Sequence, residues 1–343
     1  MKSKRNDVLA AFAFLATVLV VMCHADDVLL FIDASRTSPL VRLLGGTFSD
    51  ANVYNFFCLS GYFLGRHAGE SRWWRAALVK RVSTLLVPYV LWNVVYFVKN
   101  ALSGNPHPSG LPGLDAVFGI LPGSTPECFP MWYVKTLYCF VLASPLFAWP
   151  LLKCRTFAAR AALMGAVVAA YAGMRVLGFD GAGKEGAWGM GGFDLLGFVF
   201  FCGGLWLSRE KIADVGFATA RPLLRCGVAV GALGVWLRTA VCADGHPMLH
   251  ELNVLVSSVC LFLIACSVRK VPAVLVRNAF FVYGLHMLVL NGLGSRLPDA
   301  LLDHSVVAYV LLLAAATGLS AVCGEMTRRV LPTLYAPLVG GRV

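Results

Sequence analysis

The chain has 343 residues, of which 58% are hydrophobic and 14% are charged, and its formal net charge is +11. Soluble domains carry about 25% charged residues, so this composition excludes a soluble enzyme and a soluble domain held by one anchor. Apolar segments of membrane length recur along the whole chain. The sequence therefore predicts an all-α polytopic membrane protein, organised as a single integral membrane domain over residues 1–343.

About ten transmembrane helices are predicted from these apolar segments. They are Val8–Ala25, Ala51–Leu64, Ser83–Val98, Trp132–Leu151, Phe157–Val176, Phe193–Leu207, Leu223–Val241, Leu252–Ser267, Ala279–Leu293 and Ser305–Cys323. Lys and Arg are concentrated in alternate loops, which is the positive-inside pattern. The pattern predicts that both termini are cytoplasmic. It also explains the net positive charge without nucleic acid, which is not predicted as a partner.

The first predicted span contains His24 near its end. An ionisable side chain inside a span costs free energy and usually marks a function, and imidazole is well suited to proton transfer near neutral pH. Asp27 follows at i+3 on the same helical face, where a carboxylate would orient the ring and raise its basicity. The alternative is that Asp26 and Asp27 are ordinary loop acids just beyond the span.

The same segment has some features of a secretory signal peptide. Basic residues and an apolar stretch precede the small-x-small triplet Cys23-His24-Ala25. The apolar stretch is longer than the usual hydrophobic region of a signal peptide, which favours a span that is retained. Cleavage after Ala25 is the alternative, and it would remove His24.

The second and third predicted spans, and the predicted cytoplasmic loop between them, carry polar residues that can serve packing or binding. Ser60 and Gly61 are small and favour close helix approach; Ser60 lacks a GxSxG context and is not a predicted nucleophile. The segment from Arg72 to Arg75 places tryptophans beside arginines, which suits the lipid headgroups or phosphate binding. Asn93 is a further polar residue within the third span.

Later in the chain, three features bear on binding. Lys135, about one turn inside its span, would either snorkel outward or bind an anionic acceptor. His286 would either face the same cavity as His24 or hydrogen-bond across helices. His246 and His250 have i, i+4 spacing, but Pro247 interrupts the helix that a metal site would need. We therefore predict no metal site and no permanently bound cofactor.

Taken in order, these segments resemble the acyltransferase 3 family of membrane O-acyltransferases that act on bacterial surface polysaccharides. The resemblance covers nearly the whole chain. The segments that carry it are the first span ending in His24, the segment Phe56-Phe57-Cys58-Leu59-Ser60-Gly61-Tyr62-Phe63-Leu64, the segment from Lys80-Arg81 to Pro88-Tyr89 and Trp92, Met131-Trp132-Tyr133-Val134-Lys135, and Tyr283-Gly284-Leu285-His286.

The resemblance implies an O-acyltransferase of the cytoplasmic (inner) membrane. The donor would be cytoplasmic acyl-CoA, with acetyl-CoA expected, and the acceptor a hydroxyl of a cell-surface or lipid-linked glycan. His24 would be the general base or the first acyl carrier, with Asp27 orienting it. The phosphates of CoA would be held by Arg66, Arg75 and Arg81. Substrate contacts would come from Ser60, Tyr62, Asn93, Trp132, Lys135 and His286.

One departure from the family pattern keeps other functions open. The family usually has an arginine three turns before its histidine, and this chain has Ala13 there. Either another cation, such as Arg66, Arg81 or Lys135, replaces it, or the protein is a catalytically inactive relative. A further alternative is an exporter of a glycan or lipid-linked precursor, with His24, Lys135 and His286 lining the path.

Overall fold

The computed structural model describes residues 2–104, 110–121, 124–177, 193–210, 222–242, 247–268 and 271–341. The regular secondary structure of these residues is helical, with turns and loops between the helices, and none of them forms a strand. The helices are α1 (Lys2–Asp33), α2 (Asn52–Gly65), α3 (Trp73–Leu102, with a π-helical turn at Val82–Leu86), α4 (Gly110–Phe118), α5 (Trp132–Ala143), α6 (Pro145–Lys153), α7 (Phe157–Val176), α8 (Leu195–Glu210), α9 (Pro222–Cys242), α10 (Pro247–Ser267), α11 (Ala273–Gly294), α12 (Ser305–Val330) and α13 (Pro332–Leu338). The all-α class is therefore confirmed.

Among the described residues, five helices are long and apolar enough to cross a membrane: α1 from Val8, α3, α7, α11 and α12. The segment Phe129–Ala143 and α6 pass the same test together, but they meet at an angle of 44°. This bend divides the predicted span Trp132–Leu151 and lies at Pro145, which cannot donate its backbone nitrogen to a continuing helix. About ten spans and cytoplasmic termini stay predictions.

The first helix is longer than predicted, and this changes the setting of two acidic residues. The sequence predicts that the first span ends at Ala25, whereas α1 continues to Asp33. Val28 and Leu29 lie beyond the predicted end and are buried, and their burial extends the apolar face of the helix. Asp26 and Asp27 are therefore helical residues, and the alternative that they belong to a loop is wrong.

The contacts divide the chain into two compact units, each discontinuous in sequence: unit 1 is Met1–Phe56 with Ala213–Pro332, and unit 2 is Phe57–Ile212 with Thr333–Val343. Unit 1 has a buried apolar core shared by α1, α11 and α12. Its members include Val21, Ala25, Val28 and Leu29 from α1, Val282 and Leu290 from α11, and Ala308, Tyr309, Leu312 and Ala316 from α12. This core fixes α1 on both sides of His24.

Unit 2 contains a close crossing of α2 and α8. A Cβ atom added to Gly61 would overlap the carbonyl oxygen of Phe201, and one added to Gly204 would overlap the carbonyl oxygen of Cys58. The two helix backbones are thus in direct contact. Each helix contributes a glycine, and the lack of a side chain there lets the backbone of the other helix approach. This is the close helix approach that the small pair Ser60–Gly61 predicts.

Aromatic side chains fill the core of unit 2 beside this crossing. The ring of Phe57 lies 4.8 Å from the rings of both Tyr133 and Phe140, measured between centroids. Phe140 in turn contacts Phe198 at 5.4 Å and Phe201 at 5.7 Å. Tilted and edge-on contacts of this kind add to the burial of large apolar area, so α2, α5 and α8 are held as one packed layer.

Candidate active site

His24 is a buried residue of α1, with 8% of its surface exposed. Its Nδ1 atom lies 3.0 Å from Oδ2 of Asp27, whose side chain is 58% exposed. The i, i+3 spacing on a continuous helix makes this contact. Because a carboxylate only accepts hydrogen bonds, Nδ1 carries the proton in the neutral ring and Nε2 is the basic nitrogen. Asp27 therefore sets both the orientation and the tautomer of His24.

His286 of α11 lies against the ring of His24 within unit 1. The two ring centroids are 5.3 Å apart and the rings are nearly parallel, at 26°. His286 is fully buried, and its Nδ1 lies 2.8 Å from the carbonyl oxygen of Tyr283 and 3.1 Å from that of Val282. Nδ1 therefore donates to the backbone of α11. The structure thus places the ring of His286 directly beside that of His24.

The other ring nitrogen of His286 has a different environment. Nε2 is buried and has no hydrogen-bond partner among the residues that the structure describes. With the Nδ1 proton donated to the backbone, Nε2 is an acceptor. Leaving a buried polar atom unsatisfied costs about 1–3 kcal/mol, and such groups are rare enough in folded proteins to need a reason. A substrate hydroxyl that donates to Nε2 would provide one.

Asp26 is a buried acidic residue that the sequence reasoning did not separate from Asp27. It is 2% exposed, and its Oδ1 has no hydrogen-bond partner within the described part of the chain. Its side chain packs on Gly45 of the π-helix Arg42–Phe48, where a Cβ atom would overlap it. The helical period places neighbouring residues on different faces, so Asp26 points inward while Asp27 is exposed.

In unit 2, Asn93 and Trp132 take part in internal packing. The Asn93 side chain donates to the carbonyl oxygen of Tyr89 at 2.8 Å and accepts from the backbone nitrogen of Cys128 at 2.9 Å. Trp132 is 6% exposed and contacts the ring of Phe57. Asn93 thus holds the segment before α5 in place, and Trp132 packs the start of α5 against α2. Tyr62 is also buried, and Ser60 is partly buried.

Lys135 holds the loop that follows α4. Its Nζ donates to the carbonyl oxygens of Gly119 at 2.7 Å and Ser124 at 3.0 Å. Asp115 accepts from the backbone nitrogen of Leu121 and from the Ser124 hydroxyl, and these hydrogen bonds lower the pKa of the Asp115 carboxyl. The ammonium group of Lys135 therefore forms hydrogen bonds with backbone carbonyl oxygens of this loop.

The three predicted phosphate-binding arginines also lie in unit 2. Arg66 and Arg75 are exposed, and Arg81 is partly buried. Next to Arg75, the Trp74 indole donates to the carbonyl oxygen of Val141 at 3.0 Å, which ties the start of α3 to α5. The exposed guanidinium groups can therefore meet an anion from solvent or a lipid headgroup.

Three side chains around His24 carry atoms that can ligate a metal ion. One ligand atom each from Cys23, His24 and Asp27 all lie within 4.8 Å of one another. The other spacing considered for a metal, His246 with His250, falls outside the side chains that the structure describes.

Comparison with known families covers almost the whole chain. Residues 14–325 match the family model described as the acyltransferase domain, acyltransferase 3. The chain belongs to the acyltransferase 3 family. No curated protein and no solved structure matches it. The matched region of this acyltransferase family includes the Cys23–Asp27 segment of α1, all of unit 2 up to α8, and His286.

For an acyltransferase, the buried imidazole held by Asp27 has a chemical use. Acyl transfer to a hydroxyl requires removal of the hydroxyl proton as the oxygen attacks, and a histidine held by a carboxylate performs that task in many unrelated enzymes. The unprotonated Nε2 of His24 has the correct form for this step. The neighbouring Nε2 of His286 is a second acceptor in the same unit.

Substitution of Asp27 tests the orienting role of its carboxylate. In Asp27→Asn we expect kcat to fall by about tenfold or more, because the amide can donate to Nδ1 and favour the wrong tautomer of His24. We also expect the pH profile of kcat to shift, which loss of packing at an exposed side chain would not cause. Steady-state transfer from acetyl-CoA measures both. Asp33→Asn, at the C-terminal end of the same helix and away from His24, is the control and keeps the wild-type profile.

His286→Phe tests whether the buried Nε2 atom is kept for function. Phenylalanine keeps a ring against His24 but removes an unsatisfied polar atom, so we expect thermal stability to stay the same or rise. Acyl transfer should nevertheless fall by about tenfold, the effect of losing one hydrogen bond of about 1.4 kcal/mol in the transition state. Equal activity in the phenylalanine variant would mean that His286 contributes packing alone.

Proposed function

We propose that this protein transfers an acyl group, specifically acetyl, from cytoplasmic acyl-CoA to a hydroxyl of a cell-surface or lipid-linked glycan. The observation that carries the proposal is the buried His24 imidazole, which Asp27 contacts at Nδ1 and His286 covers with a parallel ring. Membership of the acyltransferase family supplies the reaction class. The site of action in this proposal is the cytoplasmic membrane.

In the proposed reaction, Nε2 of His24 takes the proton of the acceptor hydroxyl while the oxygen attacks the thioester carbonyl carbon. A carbon–oxygen bond forms, and the tetrahedral intermediate collapses as the carbon–sulfur bond breaks. The sulfur of CoA leaves and takes the proton from the imidazolium, which restores the neutral ring. Asp27 stabilises the imidazolium between the two proton transfers, since its charge is opposite and close.

The donor in this proposal binds through its phosphates to arginines of unit 2. Arg66 and Arg75 are exposed and Arg81 is partly buried, and guanidinium groups bind phosphates through paired hydrogen bonds. The contacts proposed for the acceptor are with Ser60, Tyr62, Trp132 and His286. Asn93 and Lys135 have a supporting part here, because their polar atoms are already bonded to the backbone.

Transfer of labelled acetyl tests the proposal. Purified protein in proteoliposomes is supplied with [¹⁴C]acetyl-CoA and with glycan from the source envelope, and ester-linked label on the glycan is measured. Label released by mild alkali supports the proposal. Glycan that crosses the bilayer without label would instead support an exporter. If there is neither label on the glycan nor translocation, the result supports an inactive relative. The reason for that alternative is that Ala13 stands where the family usually has an arginine.

The same assay separates the two roles that His24 could take. Without acceptor, the general-base role predicts no label on the protein after acid quench. Label that stays on the protein, and is lost in His24→Ala, would make His24 the first acyl carrier. In cells, the mass of the surface polysaccharide with and without this protein gives the number of ester groups directly.

A further inference from the structure

Three different metal-binding groups meet on one turn of α1. A ligand atom of Cys23, one of His24 and one of Asp27 lie within 4.8 Å of one another. Cys23 is partly buried, His24 is buried and Asp27 is exposed, so the group extends from the interior of unit 1 to its surface. Thiolate, imidazole and carboxylate are the ligands that Zn²⁺ takes in proteins, and three protein ligands with one open position are the usual set of a reactive zinc site.

We propose that Cys23, His24 and Asp27 bind a thiophilic divalent cation, such as Zn²⁺ or Cd²⁺, and that its binding switches off His24. The carboxylate of Asp27 lies beside Nδ1 of His24, so a cation held between these two residues coordinates Nδ1. The Cys23 thiol loses its proton to solvent when it binds the cation. The Asp27 side chain, 58% exposed, is able to move toward the cation.

The switch follows from the two tautomers of the imidazole ring. In the metal-free protein, Nδ1 carries the proton that contacts Asp27 and Nε2 is basic. Coordination at Nδ1 displaces that proton, and the neutral ring then carries its proton on Nε2. The nitrogen that accepts the proton of the acceptor hydroxyl becomes a donor, so transfer stops. This inhibition rests on the proposed function, whereas cation binding does not.

Cadmium binding tests the site without any catalytic assay. Purified protein in detergent is treated with EDTA, desalted and titrated with Cd²⁺ while the thiolate-to-cadmium charge-transfer absorption is followed. We expect one tight Cd²⁺ equivalent in the wild type. Loss of a ligand costs at least as much affinity as loss of a group that orients one, about 10–100-fold, so Cys23→Ser should weaken that equivalent by at least about tenfold.

Two further variants make the titration specific. Asp27→Asn keeps the thiol but removes a charged ligand, and it should also weaken the binding of Cd²⁺. Cys323→Ser removes an exposed cysteine of α12 that lies outside the cluster, and it should keep the tight equivalent. The proposal is overturned if the wild type has no tight equivalent, or if Cys23→Ser keeps it with unchanged affinity.

Inhibition is then measured with Zn²⁺ in the acetyl-transfer assay, with each variant compared with its own metal-free rate. Zn²⁺ should stop wild-type transfer, EDTA should restore it, and Cys23→Ser should need at least about tenfold more Zn²⁺. Tight Cd²⁺ binding without Zn²⁺ inhibition would overturn the switch. If the wild type transfers no acetyl at all, the proposed function fails, while the cadmium titration still decides the site.

Discussion

In proteoliposomes, His24→Ala should transfer acetyl from acetyl-CoA to glycan at about 10²–10⁴-fold below the wild-type rate. This is the usual contribution of a positioned acid–base group, and His24 is the buried imidazole that Asp27 contacts. The variant should remain folded, because alanine is a good helix former and α1 is held by its apolar core. Size-exclusion behaviour and thermal unfolding in detergent establish that the compared proteins are folded.

The chain offers a matched control for this substitution. His67 also contacts an acidic residue at i+3, with 3.0 Å between its Nδ1 and Oε1 of Glu70, but these side chains are 69% and 65% exposed. An exposed pair has little effect on stability, and the proposed mechanism gives His67 no part in proton transfer. His67→Ala should therefore keep the wild-type rate. Equal losses in His24→Ala and His67→Ala would refute a specific role for the buried imidazole.

Gly61→Leu should prevent unit 2 from packing correctly. A Cβ atom at this position would overlap the backbone of Phe201 in α8, and a backbone cannot move aside as a flexible side chain can. Overpacking costs about 1–3 kcal/mol and sometimes more, and a clash between two helix backbones belongs at the upper end. We expect loss of most folded protein and a lower midpoint of thermal unfolding, measured in detergent by tryptophan fluorescence.

Gly165→Leu is the control for Gly61→Leu. Gly165 lies in α7, and among the described residues no atom outside its own stretch of helix backbone lies within 4 Å of the position that its Cβ would take. Leucine has a higher helix propensity than glycine, so this variant should fold as well as the wild type or better. If Gly61→Leu unfolds at the same temperature as Gly165→Leu, the close crossing of α2 and α8 is wrong.

The sequence predicts helices well here because their apolar segments are long, but it places their ends poorly. The sequence predicts a first span that ends at Ala25, just before Asp26 and Asp27. The helix continues because Val28 and Leu29 resume the buried face that Val21 and Ala25 begin. One inward carboxylate, Asp26, is tolerated within that face beside Gly45. The polarity of neighbouring residues does not predict that Asp26 is buried, because the space for its side chain depends on Gly45, which lies in another segment.

The sequence predicts only the part of the candidate site that lies within one helix. The contact between His24 and Asp27 follows from helical spacing alone, so the sequence contains it. The stacking of His286 on His24 depends on how α11 packs against α1, which no local pattern specifies. The partners of Asn93 and Lys135 are backbone groups of other segments. Backbone atoms are the same at every position, so the sequence cannot indicate them.

Chemical rescue with added imidazole tests most directly whether the ring at position 24 removes the proton of the acceptor hydroxyl. The His24→Ala variant has lost the ring but keeps Asp27 and His286. Added imidazole should raise its acetyl-transfer rate in proportion to the concentration of neutral imidazole as pH is varied, and should leave the wild-type rate unchanged. The account is contradicted if His24→Ala, without any addition, acetylates glycan as fast as the wild type.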